Sequence, residues 1–188
     1  GLFHRAIMQS GTAVSITRTL AQKEEEGKRL ANIVEADDLD ELRSLSPERL
    51  LEAVTPKVGL LAGRGVRYGP CVDDYLLSAP PLAIIEQGTF NRVPVIIGTN
   101  ADEATLFLGR GTGPRRVAGY RMLVRFFFRD HAGEVLKLFP AEKTEDTRTA
   151  FSRLVTVSAF IAPARKLARM LSDAGCRVYL YHFMRVPD

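Results

Sequence analysis

Two adjacent acids, Asp102 and Glu103, directly follow an apolar run of the sequence. Valine and isoleucine dominate residues 93–97, and the stretch GTNADEATLF at 98–107 then turns polar. A buried strand that ends abruptly in polar residues presents their side chains at a sheet edge, where ligands and chemistry gather. A carboxylate there could orient a catalytic histidine or move a proton. The alternative is an acid that caps the next helix or faces water.

No nucleophile motif accompanies these acids. The sequence contains no G-x-S-x-G, and no serine begins an S-x-x-K. These motifs would mark a nucleophile elbow or a Ser/Lys esterase. The histidines are His4, His131 and His182, of which His182 stands inside an apolar stretch. The residues alone do not assign any of them as the catalytic partner of Glu103.

Strands and helices alternate along the chain. Residues 5–9 and 177–183 are apolar, strand-sized runs like 93–99, and helical spacing covers 20–34 and a segment that begins at Pro163. A near-continuous apolar strand indicates a parallel sheet covered by helices on both faces. The predicted fold class is therefore α/β, with a mostly parallel sheet flanked by helices.

A helix-rich segment, 120–162, separates the last two predicted strands. It is a helical insertion in a strand-to-strand crossover, so Val93–Thr99 and Val178–Phe183 are predicted to be neighbouring parallel strands.

The glycine-rich loop Gly109–Arg116 raises the question of an anion site. The sequence GRGTGPRR lacks the G-x-x-x-x-G-K-[ST] spacing of a phosphate-binding loop. Pro114 also removes one of the backbone N–H donors that such a loop would use.

Composition excludes several classes of function. Of 188 residues 46% are hydrophobic, and 26 basic residues face 22 acidic ones, a mild bias that does not indicate nucleic-acid binding. No apolar stretch has the length of a membrane span. Cys71 and Cys176 lie far apart, which excludes a zinc ribbon or a disulfide framework. Free cysteines favour a cytoplasmic over a secreted protein, although the compartment is not fixed.

Several stretches together resemble type-B carboxylesterases, the α/β-hydrolases that include the cholinesterases. They are GLFHRAIMQSGT, YGPCVDDYLL with VPVIIGTNADEATLF, and PARKLARMLSDAGCRVYLYHF. Their order matches the carboxyl-terminal half of that family, so residues 1–188 are expected to form a partial α/β-hydrolase domain. Both ends look cut, which fits a piece of a larger protein.

The resemblance assigns roles to particular residues. Glu103 takes the position of the triad acid in the family's Ser…Glu…His order, and Ala104 replaces the usual glycine. Ser10 is expected to bond near that acid, the alternative being a turn serine. Phe126 and Phe127 are expected to line a substrate pocket, with core packing as the alternative.

The resemblance also implies what must come from elsewhere. The nucleophile elbow is expected before Gly1 and the catalytic histidine after Asp188. His182 lacks the glycine that follows the family's catalytic histidine. No metal or organic cofactor is implied, and the expected partners are a small ester and the remaining segments of the same esterase.

Two other functions stay open. The first is a catalytically inactive esterase-like domain used for binding or adhesion, which the family also contains. The second is an anion-binding or nucleic-acid-binding module. It would use a group of arginines around the predicted helix at 120–128: Arg115, Arg116, Arg121, Arg125 and Arg129.

Overall fold

The computed structural model describes most of the chain, namely residues 2–11, 14, 16–54, 69–108 and 113–185. The chain divides into two compact units. One joins Gly1–Ala13 to Ile85–Asp188, and the other is Val14–Ile84. Both candidate acids and Ser10 belong to the first unit.

The first unit contains a parallel sheet of three strands. They are β1 (Ala6–Gln9), β2 (Val95–Asn100) and β3 (Val178–Phe183), in the order β1-β2-β3. Val95 pairs with Ala6 on one side and with Val178 on the other. The predicted α/β class and the parallel pairing of the last two strands are therefore confirmed.

One face of this sheet is covered. Val95, Ile97 and Thr99 alternate along β2 and are 4%, 0% and 5% exposed. Alternate residues of a strand point to the same face, so these side chains share one. The last helix, α8 (Ala162–Asp173), packs against β2 and β3 and buries a stripe that includes Leu167.

The opposite face departs from the prediction that both faces would be covered. Its apolar side chains are exposed: Ile7, Ile96, Tyr179 and Phe183. The apolar run of β2 predicted two covering layers, and in the described ranges α8 covers one of the two faces. On the open face the Tyr181 ring lies over Gly98, where a Cβ would come within 1.8 Å of it. Glycine is required at position 98 for this contact.

The predicted helical insertion is present between β2 and β3. It comprises α5 (Val117–Phe128), α6 (Ala132–Leu138) and α7 (Asp146–Val155), with a 3-10 turn at Arg129–His131. A π-helical segment, Thr156–Ile161, joins α7 to α8. Tyr120 is buried in the core of the insertion. Its hydroxyl donates a hydrogen bond to the carbonyl of Phe139 at 2.7 Å, and burial raises the pKa of this hydroxyl.

The second unit is helical. It contains α1 (Leu20–Val34), α2 (Leu39–Ser44) and α3 (Pro47–Val54), while α4 (Pro81–Glu86) crosses the boundary between the units. Helix α2 was not predicted. The sequence signal for its start is Asp38. The carboxylate of Asp38 accepts hydrogen bonds from the N–H groups of Asp40 and Glu41 at 2.9 Å and so caps the helix. The predicted loop Gly59–Gly65 lies outside the described residues.

Candidate functional site

Glu103 lies just beyond the carboxyl end of the middle strand. Strand β2 ends at Asn100, a turn carries Ala101 and Asp102, and a 3-10 helix begins at Ala104. The Glu103 side chain is 7% exposed. A buried carboxylate needs hydrogen-bond partners, and the neighbouring strand supplies one of them.

Ser10, the residue that follows β1, contacts this carboxylate. Its hydroxyl donates a short hydrogen bond to Oε1 of Glu103. Ser10 has φ of 56°, and its N–H donates to the carbonyl of Gly98 at 2.9 Å. A left-handed backbone costs a residue other than glycine about 1 kcal/mol. The strained turn after β1 thus directs the hydroxyl toward Glu103.

The two oxygens of Glu103 differ in their surroundings. Oε1 accepts both the Ser10 hydroxyl and the Asn100 N–H, the latter at 2.6 Å. The Asn100 side-chain amide also donates to the Ser10 hydroxyl at 3.3 Å. Within the part of the chain that the structure describes, no group donates to Oε2. The arrangement fixes one oxygen and leaves the other able to accept an N–H.

Asp102 has different contacts. It is exposed, and its carboxylate accepts the Thr105 hydroxyl at 2.5 Å and the Ser152 hydroxyl at 3.4 Å. These bonds tie the turn to the start of the 3-10 helix and to α7. Asp102 takes no part in the Ser10 and Asn100 network.

The backbone at Ala104 accommodates a side chain. Ala104 opens the 3-10 helix, is fully buried and is not among the residues with positive φ. Alanine therefore needs no glycine-only conformation at the position where the resembling family carries glycine. Its N–H donates to the Thr156 hydroxyl at 3.0 Å.

The histidines lie apart from this network. His4 and His131 are exposed. His182 lies on β3, with Nδ1 3.1 Å from the Thr99 hydroxyl. Among the residues in the described ranges, no histidine is hydrogen-bonded to Glu103.

The aromatic and basic candidates lie on and around α5. Phe126 and Phe127 are 74% and 68% exposed and make an edge-to-face contact with each other, so neither packs in the core. The five arginines proposed as an anion module are exposed as well. Part of the glycine-rich loop, 109–112, lies outside the described residues.

Two residues that bond Glu103 or its loop, Asn100 and Thr156, were not predicted from the sequence. Asn100 donates to Glu103 through its backbone N–H, which no residue type signals. Thr156 lies far along the chain, and a threonine in a helical segment carries no signal of a distant partner.

In the described ranges, no three His, Cys, Asp or Glu side chains group as a metal site would require, and no helix has the length and apolar character to cross a bilayer.

Comparison with known proteins gives one family and several distant relatives. The profile of the carboxylesterase family matches residues 1–188. "Crystal protein" of Dictyostelium discoideum is 32% identical over 99% of this chain and 36% of its own length. Carboxylesterase 5A of Felis catus is 28% identical over 100% of the chain and 36% of its own.

A bacterial relative extends the comparison. Fumonisin B1 esterase of Sphingopyxis macrogoltabida is 26% identical over 98% of this chain and 34% of its own length. The chain thus spans about a third of the length of these curated relatives.

Proposed function

Because the chain belongs to the carboxylesterase family, we propose that it is the acid-bearing part of a serine esterase that hydrolyses carboxylic esters. Glu103 is the acid of the catalytic triad in this proposal. The serine nucleophile and the catalytic histidine come from segments outside these 188 residues. The names of two of the relatives, carboxylesterase 5A and fumonisin B1 esterase, support ester hydrolysis as the reaction class.

The asymmetric environment of the Glu103 carboxylate carries the proposal. Two donors hold Oε1, and Oε2 has no partner among the described residues. A triad acid must be fixed in orientation and still have an oxygen that accepts the N–H of the histidine. The contacts of Glu103 at the carboxyl edge of a parallel sheet, where α/β proteins bind ligands, support its role as that acid.

The chemistry proceeds through an acyl-enzyme. The histidine takes the serine proton as the serine oxygen bonds to the ester carbonyl carbon, and the same proton passes to the departing alcohol oxygen. Water, deprotonated by the histidine, then attacks the acyl carbon. The histidine returns this proton to the serine oxygen as the bond between that oxygen and the acyl carbon breaks, which releases the acid and the free serine. Glu103 holds the imidazole in one tautomer and stabilises its positive charge without taking the proton itself.

A titration with a fluorophosphonate tests the proposal. The reagent phosphonylates an activated serine, so the full-length protein that contains this chain should lose hydrolysis of p-nitrophenyl acetate in proportion to the label bound. Peptide mapping should place the label on a serine outside the present sequence. Hydrolysis that persists in fully labelled protein would contradict a serine mechanism.

One relative favours a second function, an esterase-like domain without activity. The name "Crystal protein" does not denote an esterase, although this relative is 32% identical to the chain. A non-catalytic domain would neither bind the fluorophosphonate at one serine nor hydrolyse the ester. The same titration therefore separates the two functions.

Ser10 supplies a second prediction about the proposed triad. Ser10→Ala removes one of the two donors to Oε1, and we expect kcat of the full-length enzyme to fall about 10-fold with KM little changed, because a bond to a charged group is lost. Ser10→Gly is the matched control. It also lacks the hydroxyl but tolerates φ of 56° without strain.

The two Ser10 variants should have the same kcat and different thermal stability. Ser10→Gly should unfold at the higher temperature of the two, since alanine retains the left-handed strain. If Ser10→Gly restored the wild-type kcat, the loss would come from backbone strain and not from the missing hydrogen bond.

A further inference from the structure

A row of three side chains from one helix contacts the loop that carries Glu103. The Ser152 hydroxyl donates to Asp102, the Thr156 hydroxyl accepts the N–H of Ala104 at 3.0 Å, and the Phe160 ring stacks on Phe107 with centroids 5.8 Å apart. The contacts on the loop precede and follow Glu103 in the same order as the residues on the helix. The loop therefore lies along the row.

The row spans the junction between α7 and the π-helical segment. Its members are spaced by four residues, and an α-helix has 3.6 residues per turn, so each step would rotate the next side chain by about 40°. A π turn holds more than four residues, so a four-residue step within it rotates the side chain in the opposite sense. The segment runs from Thr156 to Ile161, and the N–H of Ala162 donates to the carbonyl of Val157, five residues back. The wider turn begins at the middle member of the row.

Thr156 makes the most buried contact of the three. It is 1% exposed, and its hydroxyl accepts the N–H of Ala104, the residue that follows Glu103. Hydroxyls in helices commonly bond the carbonyl four residues earlier, as Ser158 does to Leu154 at 2.7 Å. Thr156 instead accepts a bond from the acid loop. Removing its hydroxyl would leave a buried N–H group unpaired next to the peptide of Glu103.

We infer that Thr156 is a positioning residue for Glu103, acting through the hydrogen bond that its hydroxyl accepts from the N–H of Ala104. The inference rests on the proposed function of Glu103. Thr156 fixes the backbone on the carboxyl side of Glu103, while Ser10 and Asn100 fix the side chain. Both constraints are needed because a misplacement of about 1 Å in a catalytic group can reduce the rate about 100-fold.

Three variants of the full-length enzyme test the inference. Thr156→Val keeps the shape and removes the acceptor, and kcat should fall about 10-fold to 100-fold with KM within about 2-fold. Thr156→Ser keeps the hydroxyl and should restore kcat to within about 3-fold of wild type. Ser158→Ala is the matched control, since its hydroxyl bonds only its own helix, and its kcat should equal that of wild type.

For each variant, kcat is calculated per mole of serine that the fluorophosphonate labels, so that unfolded protein does not lower the value. Thr156→Ala, which adds no bulk, gives the same comparison if the valine variant yields little folded enzyme. A wild-type kcat in both variants that lack the hydroxyl would overturn the inference. Equal losses in Thr156→Val and Thr156→Ser would also overturn it, because the hydroxyl would not be the cause.

A double-mutant cycle with Glu103→Gln separates this inference from the proposed function. If Thr156 acts through Glu103, Thr156→Val should reduce kcat in the wild-type background and have no further effect in Glu103→Gln. Additive losses would overturn the inference while leaving Glu103 as the triad acid. A Glu103→Gln enzyme that retains full kcat would instead contradict the proposed function itself.

Discussion

Glu103→Gln in the full-length protein should lower kcat by about 10⁴-fold and leave the fold and KM close to those of wild type. Glutamine keeps the size of the side chain and can still accept at its carbonyl oxygen. It cannot stabilise the positive charge that develops on the histidine, and its NH2 group cannot accept the histidine N–H. The loss should therefore fall on the chemical step, which steady-state kinetics and a thermal melt together would establish.

Two further variants give this prediction its controls. Asp102→Asn should change kcat far less, since Asp102 is exposed and bonds Thr105 and Ser152. Glu103→Asp keeps the charge but is one methylene shorter, so its kcat should lie between those of wild type and Glu103→Gln. If Asp102→Asn were the variant with the large loss of kcat, or if Glu103→Gln lost activity only by unfolding, the assignment of Glu103 as the triad acid would be wrong.

The isolated chain of 188 residues should hydrolyse p-nitrophenyl acetate no faster than background. It contains no G-x-S-x-G motif, and loss of a triad nucleophile reduces kcat by about 10⁶-fold in a comparable serine enzyme. Circular dichroism would show whether the purified chain has its helices, and the full-length protein would serve as the active control. Sustained hydrolysis that survives repurification would mean that a residue on this chain is the nucleophile.

The fold was predictable where local pattern and tertiary structure agree. The apolar runs gave β1, β2 and β3 to within about two residues, and their separation by helices indicated parallel pairing. Helix α1 has a capping box, in which Thr19 and Gln22 bond each other's backbone, and it begins and ends as its periodicity predicts. The exposure of the second sheet face among the described residues was not predictable, because an apolar strand does not specify which segment packs on each of its faces.

The candidate site was predictable only in part. The position of Glu103 after a strand, together with the family pattern, singled out the candidate acid, and the hydrogen bond that Ser10 makes to it was expected from the same pattern. The roles of the Asn100 N–H and the Thr156 hydroxyl depend on which backbone groups become neighbours after folding. Backbone donors look alike in every sequence, so only the coordinates identify the ones that bond the acid and its loop.

The pairing of strands that are distant in the chain has a consequence for the rate of folding. Ala6 must meet Val95, and Val95 must meet Val178, before the three-stranded sheet is complete. Closing such long loops lowers chain entropy before it yields any contact, so folding slows as the sequence separation of contacts grows. The helices α5 to α8 are local and can form within microseconds, whereas the edge that carries Ser10 and Glu103 has to await the long-range encounter. Glu103 and its hydrogen-bond partner Ser10 are thus among the last groups of this chain to assemble.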